Sequence, residues 1–188
     1  MNLSEINLIS SNLEALRGKM DEEGKPKINL GKPLQIGIVV KDAHRTAELL
    51  SELLGFGPWR FVEWPTNRPD MRSFYNEEPG DFHVREAFTN FDNIELELVE
   101  PSGGKSGYSE YLAERGEGLH HMLFEVSDLE AAVAWFDEKG IPVKMGGTGN
   151  RPGTTWLHVD TVSLLGWSVE LRNKVATSDG KSLPGNNV

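Results

Sequence analysis

Cysteine is absent from the chain, and its absence excludes two kinds of site. None of the 188 residues is a cysteine, so neither a disulfide framework nor a thiolate metal centre can form. Any metal ion must therefore be bound by histidine nitrogen or by carboxylate and amide oxygen. A chain without disulfides fits an intracellular protein, and we predict a cytoplasmic location.

Long apolar runs and excess positive charge are also missing. No apolar stretch reaches the ~18 residues of a membrane-spanning helix, and residues 1–20 lack the basic start and apolar block of a secretory signal. The formal net charge is −10, which repels phosphate backbones. We therefore expect no membrane or nucleic-acid partner. An anion site would need a local cluster of cations, for which the candidates are Arg60, Arg68, Arg72 and Arg85.

The middle of the chain contains an internal repeat. Residues 35–42 and 121–128 are short apolar runs, each of which ends in an aspartate seven residues after its first member. Each run precedes a segment with one apolar stripe at helical spacing. Asp42 and Asp128 are suited to cap these helices, and each helix is expected to stop near a glycine.

Three strand-like segments follow the helix in each half. In the first half they are Trp59–Trp64, Val84–Phe88 and Ile94–Val99; in the second they are Pro142–Met145, Thr155–Val159 and Ser168–Arg172. Both halves therefore follow the order βαβββ, and a linker over residues 101–118 contains a short helix. The pattern predicts an α+β fold in which two tandem βαβββ modules form a curved mixed sheet.

The domain boundaries follow from this repeat. Residues 33–174 form the domain, with modules at 33–101 and 119–174. Residues 1–32 are expected to form an N-terminal helical extension, because a polar cap there precedes spaced leucines. Residues 175–188 are rich in polar residues and glycine and are expected to be a flexible tail.

Four polar side chains occupy equivalent places in the two modules. Alternation along the strands puts Gln35 and His121 on one face at the strand starts, and Glu97 and Glu170 on the same face of the last strands. If the curved sheet brings them together, two buried carboxylates need a cation. We predict a divalent metal, Zn, Co, Ni or Mn, bound by these four residues. Glu95 and Glu100 stay open as alternatives to Glu97 by a shift in register.

Residues 34–172 resemble the vicinal oxygen chelate superfamily, which includes glyoxalases, bleomycin-resistance proteins and extradiol dioxygenases. The most specific stretch is Gly116–Val126, which is similar to methylmalonyl-CoA epimerases of that superfamily, as are residues 93–101 and 160–171. The resemblance implies metal ligands at Gln35, Glu97, His121 and Glu170, and it implies a homodimer. The register of the repeat selects His121 rather than His120.

The resemblance implies a metal-dependent isomerase that epimerises a carbon next to a carbonyl through an enolate-type intermediate. The substrate would be a small carbonyl compound, with an acyl-CoA as one candidate. Glu170 would serve as both ligand and base, and Glu86, on the preceding strand, is the candidate for the second base.

Two alternatives remain open. Epimerases of this type usually carry histidine where this chain has Gln35, and the set Gln, Glu, His, Glu resembles that of some glyoxalase I enzymes. A lactoylglutathione lyase of the glyoxalase I type is therefore the second hypothesis. A metal-free protein that binds small molecules and confers resistance is the third.

Overall fold

The computed structural model of the chain describes residues 28–65 and 67–174. The predicted tail and most of the predicted extension lie outside these residues; within the described part, residues 28–32 contain no helix. The helices are α1 (Ala43–Leu54), α2 (Gly107–Arg115), α3 (Leu129–Asp137) and α4 (Val162–Leu165). The strands are β1 (Pro33–Val39), β2 (Arg60–Trp64), β3 (Ser73–Tyr75), β4 (Glu78–Pro79), β5 (His83–Phe91), β6 (Ile94–Gly103), β7 (Gly118–Val126), β8 (Val143–Thr148), β9 (Thr155–Val159) and β10 (Ser168–Asn173). In this part of the chain, every helix lacks the combined length and apolar character needed to cross a bilayer.

The described strands form one mixed sheet of two similar halves. The strand order is β2-β5-β6-β1-β7-β10-β9-β8-β3-β4. The first strand of each half pairs in parallel with the last strand of the same half, as β1 with β6 and β7 with β10. The halves join through the antiparallel pair β1–β7. The α+β fold predicted from the repeat is therefore confirmed.

The sheet curls until its distant strands touch. Trp64 on β2 contacts Trp156 on β9 edge to face, with ring centroids 5.6 Å apart, although five strands lie between these two in the sheet order. Phe82 stacks on Trp64, with ring centroids 5.0 Å apart. The concave face therefore encloses an interior.

The sheet has a strand pair that the repeat did not predict. β3 and β4 form a short hairpin, and β3 pairs with β8 of the second half. The first half of the chain thus extends the sheet of the second half.

Both repeat helices begin where the sequence predicts. The Asp42 carboxylate accepts a hydrogen bond from the Arg45 amide at 2.9 Å, and the Asp128 carboxylate accepts one from the Ala131 amide at 2.9 Å. These helices cover the convex face, where they pack on separate apolar clusters around Leu98 and Leu171. Because side chains alternate along each strand, the polar residues between these apolar ones face the concave interior.

Candidate metal centre and active site

The sheet register brings the four predicted ligands into two adjacent rows. In one row Gly37 lies between its partners Glu97 on β6 and His121 on β7. In the next row Leu123 lies between its partners Gln35 on β1 and Glu170 on β10. All four ligand candidates are buried.

Three of these side chains converge on one atom. The Nε2 atom of His121 lies 2.9 Å from Glu97 Oε2 and 3.2 Å from Glu170 Oε2. His121 is 0% exposed, and its Nε2 has no hydrogen-bond partner within the described residues. A buried imidazole nitrogen between two carboxylates, with its hydrogen-bonding capacity unused, fits the donor set of a divalent metal.

Gln35 has a different contact. Its amide nitrogen Nε2 donates a hydrogen bond to Glu95 Oε1 at 2.8 Å, and both side chains line the cavity that Glu97 and Glu170 also line. A carboxylate can only accept, so Glu95 fixes which end of the amide is nitrogen. The amide oxygen of Gln35 is thereby left as its donor atom for a cation.

Burial changes the protonation of the central groups. Burial and the nearby charge of Glu95 raise the pKa of Glu97 to about 8. Burial raises the pKa of Glu170 to about 7, and the neighbouring His121 partly offsets that rise. Burial lowers the pKa of His121. The protein alone therefore disfavours two ionised carboxylates here at neutral pH, and a bound cation reverses that preference.

Two further histidines, His120 and His158, lie next to His121. The ring nitrogens of His120, His121 and His158 lie within 4.8 Å of one another, and the Nδ1 atoms of His120 and His121 are 3.0 Å apart. The His158 ring lies between Tyr108 Oη, 3.1 Å from its Nε2, and Ser168 Oγ, 3.2 Å from its Nδ1. Burial lowers the pKa of His120 and His158 well below the usual value. Both are therefore neutral, the form that supports or binds a metal.

The centre opens into a cavity of about 70 Å³ between the modules. Its walls carry the aromatic side chains Trp64, Phe88, Tyr108 and Trp156. Glu86 also lines it, and its Oε2 accepts a hydrogen bond from Asn150 Nδ2 at 3.0 Å. Burial and the charge of Glu97 raise the pKa of Glu86 well above its usual value. Glu86 is thus placed in the same cavity as Glu170.

The four predicted anion contacts do not form a cluster. The Arg68 side chain pairs with Asp70, and that of Arg85 with Glu63 and Glu100, while Arg72 donates to backbone carbonyls. Arg60 stacks over the Phe88 ring, 4.3 Å from its centroid.

Two other arginines, Arg151 and Arg172, line the cavity instead. Alternation from Glu170 would have identified Arg172, because it lies two residues further along β10. Arg151 and Asn150 lie in the loop between β8 and β9, and Tyr108 lies in the linker helix, so strand alternation gave no signal for them.

Comparison with known proteins agrees with this fold. The profile of the Glyoxalase/Bleomycin resistance protein/Dioxygenase superfamily matches residues 34–156. Mitochondrial methylmalonyl-CoA epimerase of Homo sapiens is 29% identical over 127 residues, which cover 64% of this chain and 64% of the human protein. The Mus musculus protein is 26% identical over 121 residues, covering 64% of this chain and 60% of the mouse protein. The chain thus matches less than two thirds of the length of these relatives.

Solved structures share the architecture. A variant of Streptomyces coelicolor methylmalonyl-CoA epimerase in complex with 2-nitronate-propionyl-CoA superposes with a TM-score of 0.58 at 23% identity, covering 82% of this chain and 100% of that one. Methylmalonyl-CoA epimerase from Mycobacterium tuberculosis superposes with a TM-score of 0.53 at 20% identity, covering 77% and 92% of the two chains. At these identities the similarity establishes the fold.

Proposed function

The chain belongs to the Glyoxalase/Bleomycin resistance protein/Dioxygenase superfamily, and on that basis we propose that it is a metal-dependent epimerase acting at a carbon next to a carbonyl. The observation that carries the proposal is the convergence of Glu97 and Glu170 on the buried, unsatisfied Nε2 of His121. An arrangement of two carboxylates and one imidazole is costly to bury without a cation and well suited to binding one.

His121, Glu97, Glu170 and the amide oxygen of Gln35 would hold the metal, which would be Zn, Co, Ni or Mn. When bound, the cation supplies Lewis acidity that makes a proton next to a carbonyl easier to remove. Trp64 and Trp156 line the cavity, where their apolar rings would pack against a bound substrate and reduce its contact with water.

Glu170 and Glu86 are the proposed acid–base pair. They belong to different modules, on β10 and β5, and both line the cavity. One carboxylate removes the proton from the carbon, and the other returns a proton to the opposite side, which inverts the centre. Glu170, ionised when it binds the cation, suits the group that removes the proton, and Glu86, whose pKa burial raises well above the usual value, suits the group that returns one.

The proposed substrate is an acyl-CoA thioester. Support comes from the curated relatives, which are methylmalonyl-CoA epimerases, and from similar solved structures that hold methylmalonyl-CoA or 2-nitronate-propionyl-CoA. The homodimer and the cytoplasmic location stay predictions. Light scattering of the purified chain would test the first, and imaging of the tagged protein in its host cell the second.

A glyoxalase I-type lyase is the second candidate, favoured by one observation. Gln35 contributes an amide where the epimerases that the sequence resembles usually carry histidine. Glu95 holds this amide in a defined orientation. A test of function must therefore include a hemithioacetal substrate alongside an acyl-CoA.

The experiment combines metal analysis with substrate tests. Elemental mass spectrometry of the full chain, reconstituted with each candidate metal, should find about one ion per chain; Glu170→Ala should lose it and the exposed-site control Glu48→Ala should keep it. Methylmalonyl-CoA should then exchange its α-proton in deuterated buffer. Turnover of the hemithioacetal alone would favour the lyase. If the reconstituted chain holds no metal, the epimerase and the lyase hypotheses are both contradicted, and the metal-free binding protein is favoured.

A further inference from the structure

His120 lies beside the proposed ligand His121, although neighbouring residues of a strand normally point to opposite faces. A bulge in β7 explains this arrangement. Gly37 of β1 pairs with His121, whereas the next residue of β1 pairs with Leu119, so His120 is an extra residue in β7. Bulges re-aim side chains and are frequent next to active sites. Both histidines are therefore inside the protein, where they are 2% and 0% exposed.

The two imidazoles meet through the same ring atom. Their Nδ1 atoms are 3.0 Å apart, which is a hydrogen-bond distance, so one Nδ1 carries a proton and the other accepts it. The place of His121 decides which. Its Nε2 lies between Glu97 and Glu170, and a metal binds the ring nitrogen that has no proton, so the proton of His121 must be on Nδ1. His121 therefore donates, and His120 accepts.

The tautomer of His120 follows from this contact. A neutral imidazole that accepts through Nδ1 carries its own proton on Nε2. The His120 ring also donates a hydrogen bond to the backbone of Gly107, which provides an acceptor for that proton. The rings of Tyr111 and His158 pack against it, with centroids 5.1 Å and 5.3 Å away. The orientation of the His120 ring is thus set from several sides.

His120 lines a different cavity from that of the proposed chemistry. Its cavity has a volume of about 210 Å³ and is also lined by Lys144, whereas Glu86 and Glu170 line the smaller one. An effect of His120 on the metal or on a substrate must therefore pass through His121.

An imidazole suits this place better than the more common partners of a metal-bound histidine. Such a histidine usually donates its second N–H to a carboxylate, a backbone carbonyl or water. A third carboxylate would add negative charge to a buried centre that already contains Glu97 and Glu170. A neutral imidazole accepts the same proton without adding that charge.

We propose that His120 is a positioning residue, which accepts the Nδ1 proton of His121 and thereby keeps Nε2 of His121 unprotonated and aimed at the metal. The proposal deepens the proposed function and rests on it only in taking His121 as a metal ligand. It assigns a role in metal binding to a residue that is itself not a ligand.

Zinc affinity of the full chain, measured by competition with a chelator, tests the role of the acceptor. His120→Asn retains an oxygen near the position of Nδ1 and should bind zinc nearly as wild type does. The apolar His120→Leu should bind zinc about 10–100-fold more weakly. The control His83→Leu changes an exposed histidine and should match wild type. Denaturant unfolding without metal checks that each variant is folded.

Proton–nitrogen correlation NMR spectra of the zinc-loaded wild type supply a second readout, which a purely structural role of His120 would not produce. They should show zinc at Nε2 of His121, a proton on Nδ1 of His121 and a proton on Nε2 of His120. A proton on Nδ1 of His120, or zinc at Nδ1 of either ring, would overturn the proposal.

The outcomes separate this proposal from the proposed function. Equal zinc affinity in His120→Leu and wild type would overturn the positioning role and leave the epimerase proposal intact. A wild type that binds none of the candidate metals would contradict the metal site, and the positioning role with it. If zinc binding depends on His120 but the loaded chain exchanges no α-proton, the epimerase proposal fails and the positioning role stays.

Discussion

Gly37 on β1 faces His121 on β7, and the imidazole occupies the space of the side chain that Gly37 lacks. A β-carbon at position 37 would lie 1.9 Å from His121 Cε1 and 2.1 Å from its Nε2. Glycine in a strand normally weakens the strand. Here it is required, because any other residue would expel the imidazole from its place between Glu97 and Glu170.

Replacing this glycine should damage the candidate metal site more than the fold. In Gly37→Ala we expect His121 to be displaced, metal affinity to fall at least tenfold, and the free energy of unfolding to fall by about 1–3 kcal/mol from overpacking. Competition with a chelator measures the affinity, and denaturant unfolding measures the stability.

The matched control is Gly118→Ala on β7, where the added β-carbon would meet Tyr111 Oη at an ordinary 3.5 Å. It should bind metal as the wild type does. An unchanged metal affinity in Gly37→Ala would show that His121 does not bind the ion.

The features that sequence reasoning predicted correctly are those with a fixed period. Strand alternation placed Glu97 and Glu170 on the concave face, and the repeat selected His121, which the structure brings between them. The caps at Asp42 and Asp128 followed from local hydrogen bonding. That these side chains bind a metal stays a prediction.

The features that it missed depend on contacts between distant segments. The hairpin of β3 and β4 is too short to show alternation. Asn150 reaches Glu86 from a loop 64 residues away in sequence, and Tyr108 reaches His158 from the linker helix. The sequence also contained no signal for the contact between Glu95 and Gln35. That contact depends on β1 lying beside β6 in the sheet.

Glu95 should act as a positioning residue for Gln35. In Glu95→Gln the new side chain can donate as well as accept, so the Gln35 amide is no longer held in one orientation. We expect metal affinity to fall about 10–100-fold.

This affinity should be measured at about pH 9. Removing the charge of Glu95 also lowers the pKa of Glu97 from about 8, which would strengthen binding near neutral pH and mask the loss. At pH 9 Glu97 is largely ionised in both proteins. Glu48→Gln is the exposed control, and equal affinity of Glu95→Gln and wild type at this pH would refute the positioning role.

Glu86 should be needed for chemistry but not for metal binding. We expect Glu86→Gln to keep about one metal per chain and to lose 10²–10⁴-fold in epimerisation rate, since an amide cannot relay the proton. Deuterium exchange catalysed by Glu170 on one face of the carbon should persist. Asn150→Ala, which removes the hydrogen bond to Glu86, should give a smaller loss; full activity of Glu86→Gln would assign the second base elsewhere.

The metal-free protein should become less stable as the pH rises from about 7 to about 8.5, a range in which the buried histidines are largely neutral in the folded and the unfolded chain. In the folded chain Glu97 and Glu170 release their protons at pKa values of about 8 and about 7, whereas the unfolded value is 4.5. These two carboxyl groups therefore hold more protons in the folded state than in the unfolded state, so raising the pH through their folded pKa values favours unfolding.

Denaturant unfolding in a chelator at pH 7 and pH 8.5 should show a difference of about 1–2 kcal/mol, and the neutral variant Glu97→Gln should reduce it. The exposed control Glu48→Gln should leave it unchanged. Zinc requires both carboxylates ionised, so its binding should release protons near pH 7 and stabilise the chain most at the alkaline end. If the metal-free chain were equally stable at both pH values, the two carboxylates would have ordinary pKa values. Both would then be ionised at neutral pH without a bound cation, and their burial would no longer argue for a metal site.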